Sequence, residues 1–267
     1  METAKSVRYE GTNIRVMTNN VLFSSTKDCR TRVHLLAGIY RDYQPDILCL
    51  QETDPAWYAA LPPVIDDLYE VVNVAPLGRV APVENLNPIF YRKDRFDVVQ
   101  KDCYTTIEQQ PSEITWAVLW DKQLQKHLIV YSIHLLVDLC SPSAEIQRRG
   151  SVSRILERIA KLRKKYATDY VLAMGDFNAV ESTESYQMFA RVYRDAKYIA
   201  KVRANLTSNT GHTLGQMPLL VAQSPRNYDY VLVNEDVTEV LTHDIITTQE
   251  ALDGSDHCPV YVDLILK

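Results

Sequence analysis

The sequence predicts an α/β fold on mixed sheets, and two observations lead there. Short apolar, β-branched runs recur along the chain and alternate with amphipathic helical segments. In the middle, several such runs follow one another without a helix between them, which favours antiparallel meanders over a purely parallel sheet. No repeat, linker or low-complexity tract breaks the 267 residues, so residues 1–267 are expected to form a single domain.

The elements follow in order. Ile14 to Leu22 reads as a strand with a polar end at Asn19-Asn20. Asp28 suits the N-cap of a helix reaching Tyr43, because Val33, Leu36, Ala37 and Tyr40 share one helical face. Pro45 ends that helix, and Asp46 to Glu52 is a strand carrying a carboxylate at its exit. Strands are predicted at Glu70 to Val74, Asn87 to Tyr91, Thr115 to Trp120 and Leu128 to Leu136. A long helix is predicted from Ala144 to Tyr166, with Val152, Ile155, Ile159, Leu162 and Tyr166 as its buried stripe. Its many cations (Arg148, Arg149, Arg154, Arg158, Lys161, Arg163, Lys164, Lys165) read most simply as a solvated face. Next come a strand at Tyr170 to Met174, a polar turn Gly175-Asp176-Phe177-Asn178, and a helix from Ser182 to Val192. An irregular loop spans Ala204 to Arg226, followed by a strand at Tyr228 to Val233 and a last strand from Val260.

Composition narrows the function. No apolar run approaches the ~18 residues of a membrane span, and Met1 to Glu10 lacks a signal core, so a cytoplasmic protein is expected. The five cysteines are odd in number, widely spaced and without a Cys-x-x-Cys pair. That argues against a disulfide framework and a zinc ribbon. The net charge of −5 offers no overall basic field, which disfavours nucleic acid as partner without removing it.

Polar residues with no structural need to be there stand at or near strand ends: Asn20, Glu52, His134, Asp176 with Asn178, Asp229, and Asp256 with His257. Strand ends hold side chains rigidly outside a packed core, where sites form. Oxygen donors of the Glu, Asp and Asn type suit a hard cation, Mg²⁺ or Mn²⁺ in its place, acting on a phosphoryl oxygen. Two histidines with spare carboxylates supply acid–base groups. Only one of Asn19 and Asn20 can face such a site, because neighbours on a strand point to opposite faces.

The order of these motifs resembles the endonuclease/exonuclease/phosphatase superfamily of deoxyribonuclease I-like enzymes. The resemblance is carried by Arg15-Val16-Met17-Thr18-Asn19-Asn20, Pro45-Asp46-Ile47-Leu48-Cys49-Leu50-Gln51-Glu52, Ile89-Phe90-Tyr91-Arg92 and Ser132-Ile133-His134-Leu135. It continues through Gly175-Asp176-Phe177-Asn178, Tyr228-Asp229-Tyr230-Val231 and Ser255-Asp256-His257. It implies a four-layer α/β sandwich, two mixed and mostly antiparallel sheets packed face to face with helices outside.

By the same resemblance Glu52 is the main metal carboxylate, with Asn20 and Asp256 beside it. Asp176 and Asn178 align water and phosphate. His257 faces the phosphate with Asp229 as its orienting partner, and His134 binds a phosphate oxygen or assists the leaving group. Either Asp176 or His257 takes the first proton. Arg79, Arg92, Asn209, His212 and Thr213 are candidate substrate contacts. Asn19 stands where relatives commonly carry an aromatic residue, and His134 where the abasic-site enzymes commonly carry Tyr. The expected activity is metal-dependent hydrolysis of a small or lipid-like phosphate mono- or diester by a monomer. The alternatives are an abasic-site or RNA-directed nuclease and, more remotely, an inactive binding protein.

Overall fold

The computed structural model describes residues 7–72, 74, 85–105, 113–137, 143–205, 214–215 and 226–267. Its strands, numbered along the chain, form two sheets. The seven-stranded sheet runs β10 (Val202–Arg203), β12 (Thr238–Ile245), β13 (Val260–Leu266), β1 (Ile14–Asn20), β2 (Ile47–Gln51), β4 (Ile89–Arg92), β3 (Tyr69–Val71). The six-stranded sheet runs β5 (Phe96–Thr105), β6 (Glu113–Asp121), β7 (Lys126–His134), β8 (Val171–Asp176), β11 (Asp229–Val233), β9 (Arg194–Asp195). The helices are α1 (Val33–Tyr43), α2 (Pro55–Ala60), α3 (Pro62–Ile65), α4 (Ala144–Tyr166), α5 (Glu184–Ala190), α6 (Ala196–Ile199) and α7 (Gln249–Gly254).

Period-two alternation explains how these layers stack. Val16, Cys49, Leu128, Val130, Leu172, Met174, Val231 and Val262 meet in one cluster between the sheets. Their sequence neighbours face outward. Ile129, Tyr131, Ile133, Ala173 and Leu232 pack with Val152, Ile155 and Ile159 of α4 and Phe189 of α5. Met17, Leu48 and Leu50 pack with α1 and α2 through Leu36, Tyr40 and Trp57. Strands buried on both faces read as continuous apolar runs, which is why β1, β2, β7 and β8 were legible. The result is the four-layer α/β sandwich that the sequence predicts.

Four strands escape that reading, the two-residue β9 and β10 and two long ones. β5 and β12 carry Asp97, Gln100, Lys101 and Asp102, and Glu239, Thr242, His243 and Asp244. β5 is a sheet edge and β12 is flanked outward only by the two-residue β10, so polar side chains interrupt the apolar pattern. Asp28 does cap, but it caps the 3₁₀ turn Cys29–Thr31, its carboxylate accepting from the Arg30 amide, and α1 begins at Val33. The irregular loop expected over 204–226 falls mostly outside the described residues. Cys29, Cys49, Cys103 and Cys258 are buried free thiols, and burial pushes the Cys258 thiol up to about 12. No helix among the described residues is long and apolar enough to cross a membrane.

A buried ion pair locks the first strand to the last. Arg15, 0% exposed, donates Nε to Asp263 Oδ1 at 2.6 Å and Nη2 to Oδ2 at 2.8 Å; its Nη1 holds the Tyr43 carbonyl at 2.9 Å. Removing one partner strands a buried charge, so Asp263→Ala is expected to cost about 3–5 kcal/mol. Urea unfolding monitored by circular dichroism measures it. A loss under about 1 kcal/mol would mean that solvent reaches Arg15 in the folded state.

Candidate active site

Strand register gathers the polar residues at one edge of the sandwich. β1 and β2 run parallel with Asn20 opposite Gln51, which brings Asn20 and Glu52 out together. On the facing sheet, Asp176 at the end of β8 is opposite His134 of β7 on one side and Asp229 of β11 on the other. Below this rim a polar tie joins the sheets. Gln51 Nε2 donates to Ser132 Oγ at 3.1 Å, and Ser132 Oγ donates to the Leu50 carbonyl at 3.1 Å.

Asn20 sits between two carboxylates. Its Nδ2 donates to Glu52 Oε1 at 2.9 Å and to Asp176 Oδ2 at 3.1 Å, while its Oδ1 accepts from the Leu22 amide at 3.0 Å. Asn19 points the other way: its Oδ1 accepts from Tyr40 Oη at 2.8 Å, and its Nδ2 donates to the His257 carbonyl at 3.3 Å. The choice between these neighbours therefore falls on Asn20. Glu52 Oε2 accepts from the Phe23 amide at 3.0 Å.

Backbone strain collects here. Glu52 has φ +62°, Leu22 +57° and Asn178 +46°, the left-handed region that non-glycine residues disfavour. Such conformations persist when surroundings hold them. Arg32, 1% exposed, spreads its guanidinium over the carbonyls of Val21, Leu22, Lys27 and Gly254 and stacks on Trp57. Gly175, one residue before Asp176, has φ +141°, and a Cβ there would lie 2.0 Å from the Ile133 carbonyl oxygen. Gly175→Ala must therefore part β7 from β8 beneath the site. It is expected to cost about 2–4 kcal/mol and most of the activity, read by thermal melting and turnover on the same sample. Parent-like melting and turnover would show that the strands yield at no cost.

Asp176, 1% exposed, accepts the Asn178 amide on Oδ1 at 2.7 Å. Its Oδ2 lies 3.7 Å from His134 Nε2 and 3.9 Å from His257 Nε2. Asn178 Nδ2 donates to the Leu135 carbonyl at 2.9 Å. His134 Nε2 is also 3.9 Å from Glu52 Oε1, while its Nδ1 is buried with no hydrogen-bond partner among the described residues. His257 Nδ1 meets Asp229 Oδ2 at 2.7 Å, which fixes the ring and turns Nε2 toward Asp176. Burial pulls His257 down, but Asp229 and Asp176 outweigh it and hold the imidazole well above its ordinary value. Burial drives Asp229 the other way, up to about 6, against the pull of His257.

Ser255 is a residue that strand-end reasoning passed over. Its Oγ donates to the Asn20 carbonyl at 2.6 Å and accepts from the His257 amide at 3.2 Å, joining the two halves of the site. Its place inside Gly254-Ser255-Asp256-His257 was the available signal; Arg32 offered none. Asp256 stands half-buried beside His257, its Oδ1 3.5 Å from the Ser255 hydroxyl. Arg92 is not brought here. Its amide bonds to Asp46 at the opposite end of β2, about 20 Å from Glu52 at ~3.3 Å per residue, and its guanidinium pairs with Asp94. Arg79, Asn209, His212 and Thr213 lie outside the described residues.

The donors fit a hard divalent cation. Glu52 and Asp176 share one Asn20 amide and one histidine nitrogen, so their oxygens converge on one place at the rim. Asp176, Asp229 and His257 also offer three ligand atoms within 4.8 Å of one another. His257 Nδ1 is taken by Asp229 Oδ2, which leaves His257 Nε2 turned to Asp176 Oδ2 at 3.9 Å.

Comparison with known proteins bears on the family and the fold. The model of the endonuclease/exonuclease/phosphatase family matches residues 17–257. No curated protein matches the sequence. Among solved structures, the chain is similar to an endonuclease/exonuclease/phosphatase from Bacteroides vulgatus, with 23% identity, TM-score 0.78, and 95% of this chain and 99% of that one covered. It is similar to a mannosyl-6-phosphatase of Bacteroides thetaiotaomicron, at 20% identity and TM-score 0.76 over 95% and 100% of the chains. It is also similar to the human Nocturnin catalytic domain with bound sulfate, at 20% identity and TM-score 0.73 over 98% and 96%. With the family model spanning every strand end that builds the site, from β1 to His257, the chain belongs to the endonuclease/exonuclease/phosphatase family.

Proposed function

We propose that this protein is a Mg²⁺- or Mn²⁺-dependent phosphoric ester hydrolase acting on a small or lipid-like phosphate ester. The observation that carries the reading is the meeting of Glu52 and Asp176 on Asn20, with the His257–Asp229 pair and His134 on the same rim. Glu52 would carry the ion, with Asn20 and Asp256 next to it. A bound ion supplies Lewis-acid polarisation of the phosphoryl oxygens.

The chain's own residues divide the remaining work. Asp229 holds His257 so that Nε2 faces the reacting phosphate. An imidazole flanked by two carboxylates keeps its proton, so His257 donates a charge-assisted hydrogen bond to a phosphoryl oxygen. That leaves Asp176 as the base that orients and deprotonates the attacking water, with the Asn178 amide fixing its carboxylate. His134 would serve the leaving side, where the departing alkoxide oxygen must take a proton to leave as a neutral alcohol. Every polar position of the family pattern is filled, which speaks against an inactive binding protein. The net charge of −5 speaks for a compact ester over a nucleic acid.

A substrate panel tests the choice: bis-p-nitrophenyl phosphate, p-nitrophenyl phosphate, an abasic duplex and poly(A), each with Mg²⁺. Turnover of the aryl esters at rates above those on both nucleic acids is expected. Cleavage confined to the abasic duplex or to poly(A) would replace this reading with the nuclease one.

A further inference from the structure

The cations of α4 do more than cover a helix. Arg154, Arg158 and Lys161 stand at i, i+4 and i+7, on one face of α4. With Glu157 and Tyr104 of β5 they line a cleft of about 200 Å³. Among the described residues no carboxylate comes within 4.0 Å of any of the three cations. Glu157 is turned to the Ser153 hydroxyl at 3.5 Å, and Asp102 on the neighbouring β5 position accepts the Cys103 amide at 2.9 Å. Among the described residues the lining thus sets three cations against one carboxylate, in a protein of net charge −5.

A second observation lies beneath the cations. Asp102, Trp116 and Tyr131 stand opposite one another across β5, β6 and β7, and Tyr104 is two residues from Asp102, on the same face. The Arg158 guanidinium carbon is 5.5 Å from the centre of the Trp116 ring. Trp116 and Tyr131 are both 0% exposed. Yet Trp116 Nε1, Tyr131 Oη and Tyr104 Oη are all buried with no hydrogen-bond partner among the described residues. Buried polar atoms nearly always have one, and of these three residues Tyr104 is the one that lines the cleft. Burial holds both phenols above their ordinary range, so each keeps its proton and can donate.

We infer that the α4–β5 cleft is a binding site for a small oxyanion of the phosphate class, separate from the catalytic rim, in which Arg154, Arg158 and Lys161 supply charge and Tyr104 supplies a donor. Its volume is below the ~300 Å³ at which drug-sized pockets begin, which suits one phosphate group and little more. Its lining comes from α4 and β5 and shares no residue with the catalytic rim. The site is compatible with a free phosphate ion or with the phosphoryl group of a small ester.

The three indoles give the test. In ¹⁵N-labelled protein with EDTA, inorganic phosphate is titrated at constant ionic strength held with chloride, and the indole N–H resonances are followed. Trp116 is assigned by Trp116→Phe. Trp57 donates to the Leu22 carbonyl beside the catalytic rim and so reports on that site separately. A saturable shift of the Trp116 resonance is expected, with half-saturation raised about tenfold in Arg158→Gln and several-fold in Tyr104→Phe. Turnover by Arg158→Gln is expected to equal the parent's. A Trp116 resonance that does not move, or that moves identically in Arg158→Gln, overturns the inference whatever the catalytic site proves to do. A parallel titration with glycerol 3-phosphate separates the sources. Tighter binding than inorganic phosphate assigns the cleft to a phosphoryl group on a larger molecule, and equal or weaker binding assigns it to the free ion.

Discussion

Glu52→Gln is expected to lower kcat/KM on an aryl phosphate ester by about 10³-fold while leaving the fold intact. The substitution keeps the shape and removes the charge. A Lewis acid is worth several kcal/mol of transition-state stabilisation, and each ~1.4 kcal/mol is tenfold in rate. The loss has a local structural part as well: Oε1 takes the Asn20 amide and Oε2 takes the Phe23 amide, and a glutamine keeps an acceptor on one side only. Raising Mg²⁺ should recover part of the loss, because a weakened ion site fills by mass action. Steady-state kinetics at several Mg²⁺ concentrations, with circular dichroism as the control for folding, measures both. Turnover within about tenfold of the parent would remove Glu52 from the ion.

Asp229→Asn carries the second large effect, and it has a pH signature that simple damage to the fold lacks. The Asp229 carboxylate holds the imidazole by Nδ1 at 2.7 Å, and an amide in its place keeps the shape but removes the negative charge that keeps the ring protonated. A fall in kcat of about 10²–10⁴ is expected. The sign of the pH effect follows from His257, which Asp229 and Asp176 hold above its ordinary value against burial. Its proton is present at low pH and leaves as pH rises through that raised value, so the parent should lose activity on the alkaline side. Removing the Asp229 charge lets burial dominate, the imidazole loses its proton sooner, and the alkaline limb should move to lower pH. A pH–kcat profile of the same shape and position in both proteins would show that His257 does not act in its protonated form.

Much of this was readable from the chain, for a physical reason. The strands between the two cores are covered on both sides, so they appear as unbroken apolar runs, and a polar residue at their ends stands out. Asn20, Glu52, His134, Asp176 and Asp229 were found that way, and the register of β7, β8 and β11 brings the last three together. The long strands lost were those whose polar residues interrupt the pattern, β5 and β12, while β9 and β10, of two residues each, are too short to show one. The short α2 was missed although Asp54-Pro55 is a legible cap, the Asp54 side chain accepting from the Trp57 amide. Arg32 gave no signal, since a lone arginine before an amphipathic helix looks solvent-exposed until four carbonyls are seen to converge on it. Arg92 was over-read. It follows Ile89-Phe90-Tyr91 in sequence, but antiparallel pairing with β2 carries it to the far end of the sheet.

The central claim is that one rim of carboxylates, amide and histidines hydrolyses a phosphate ester with the help of a divalent ion. The most direct measurement is turnover of bis-p-nitrophenyl phosphate by EDTA-treated, desalted protein before and after Mg²⁺ is added. No turnover above background, restored by Mg²⁺ in the parent and scarcely restored in Glu52→Gln, is the result this structure predicts. Full turnover in EDTA, or equal restoration in both proteins, would contradict it.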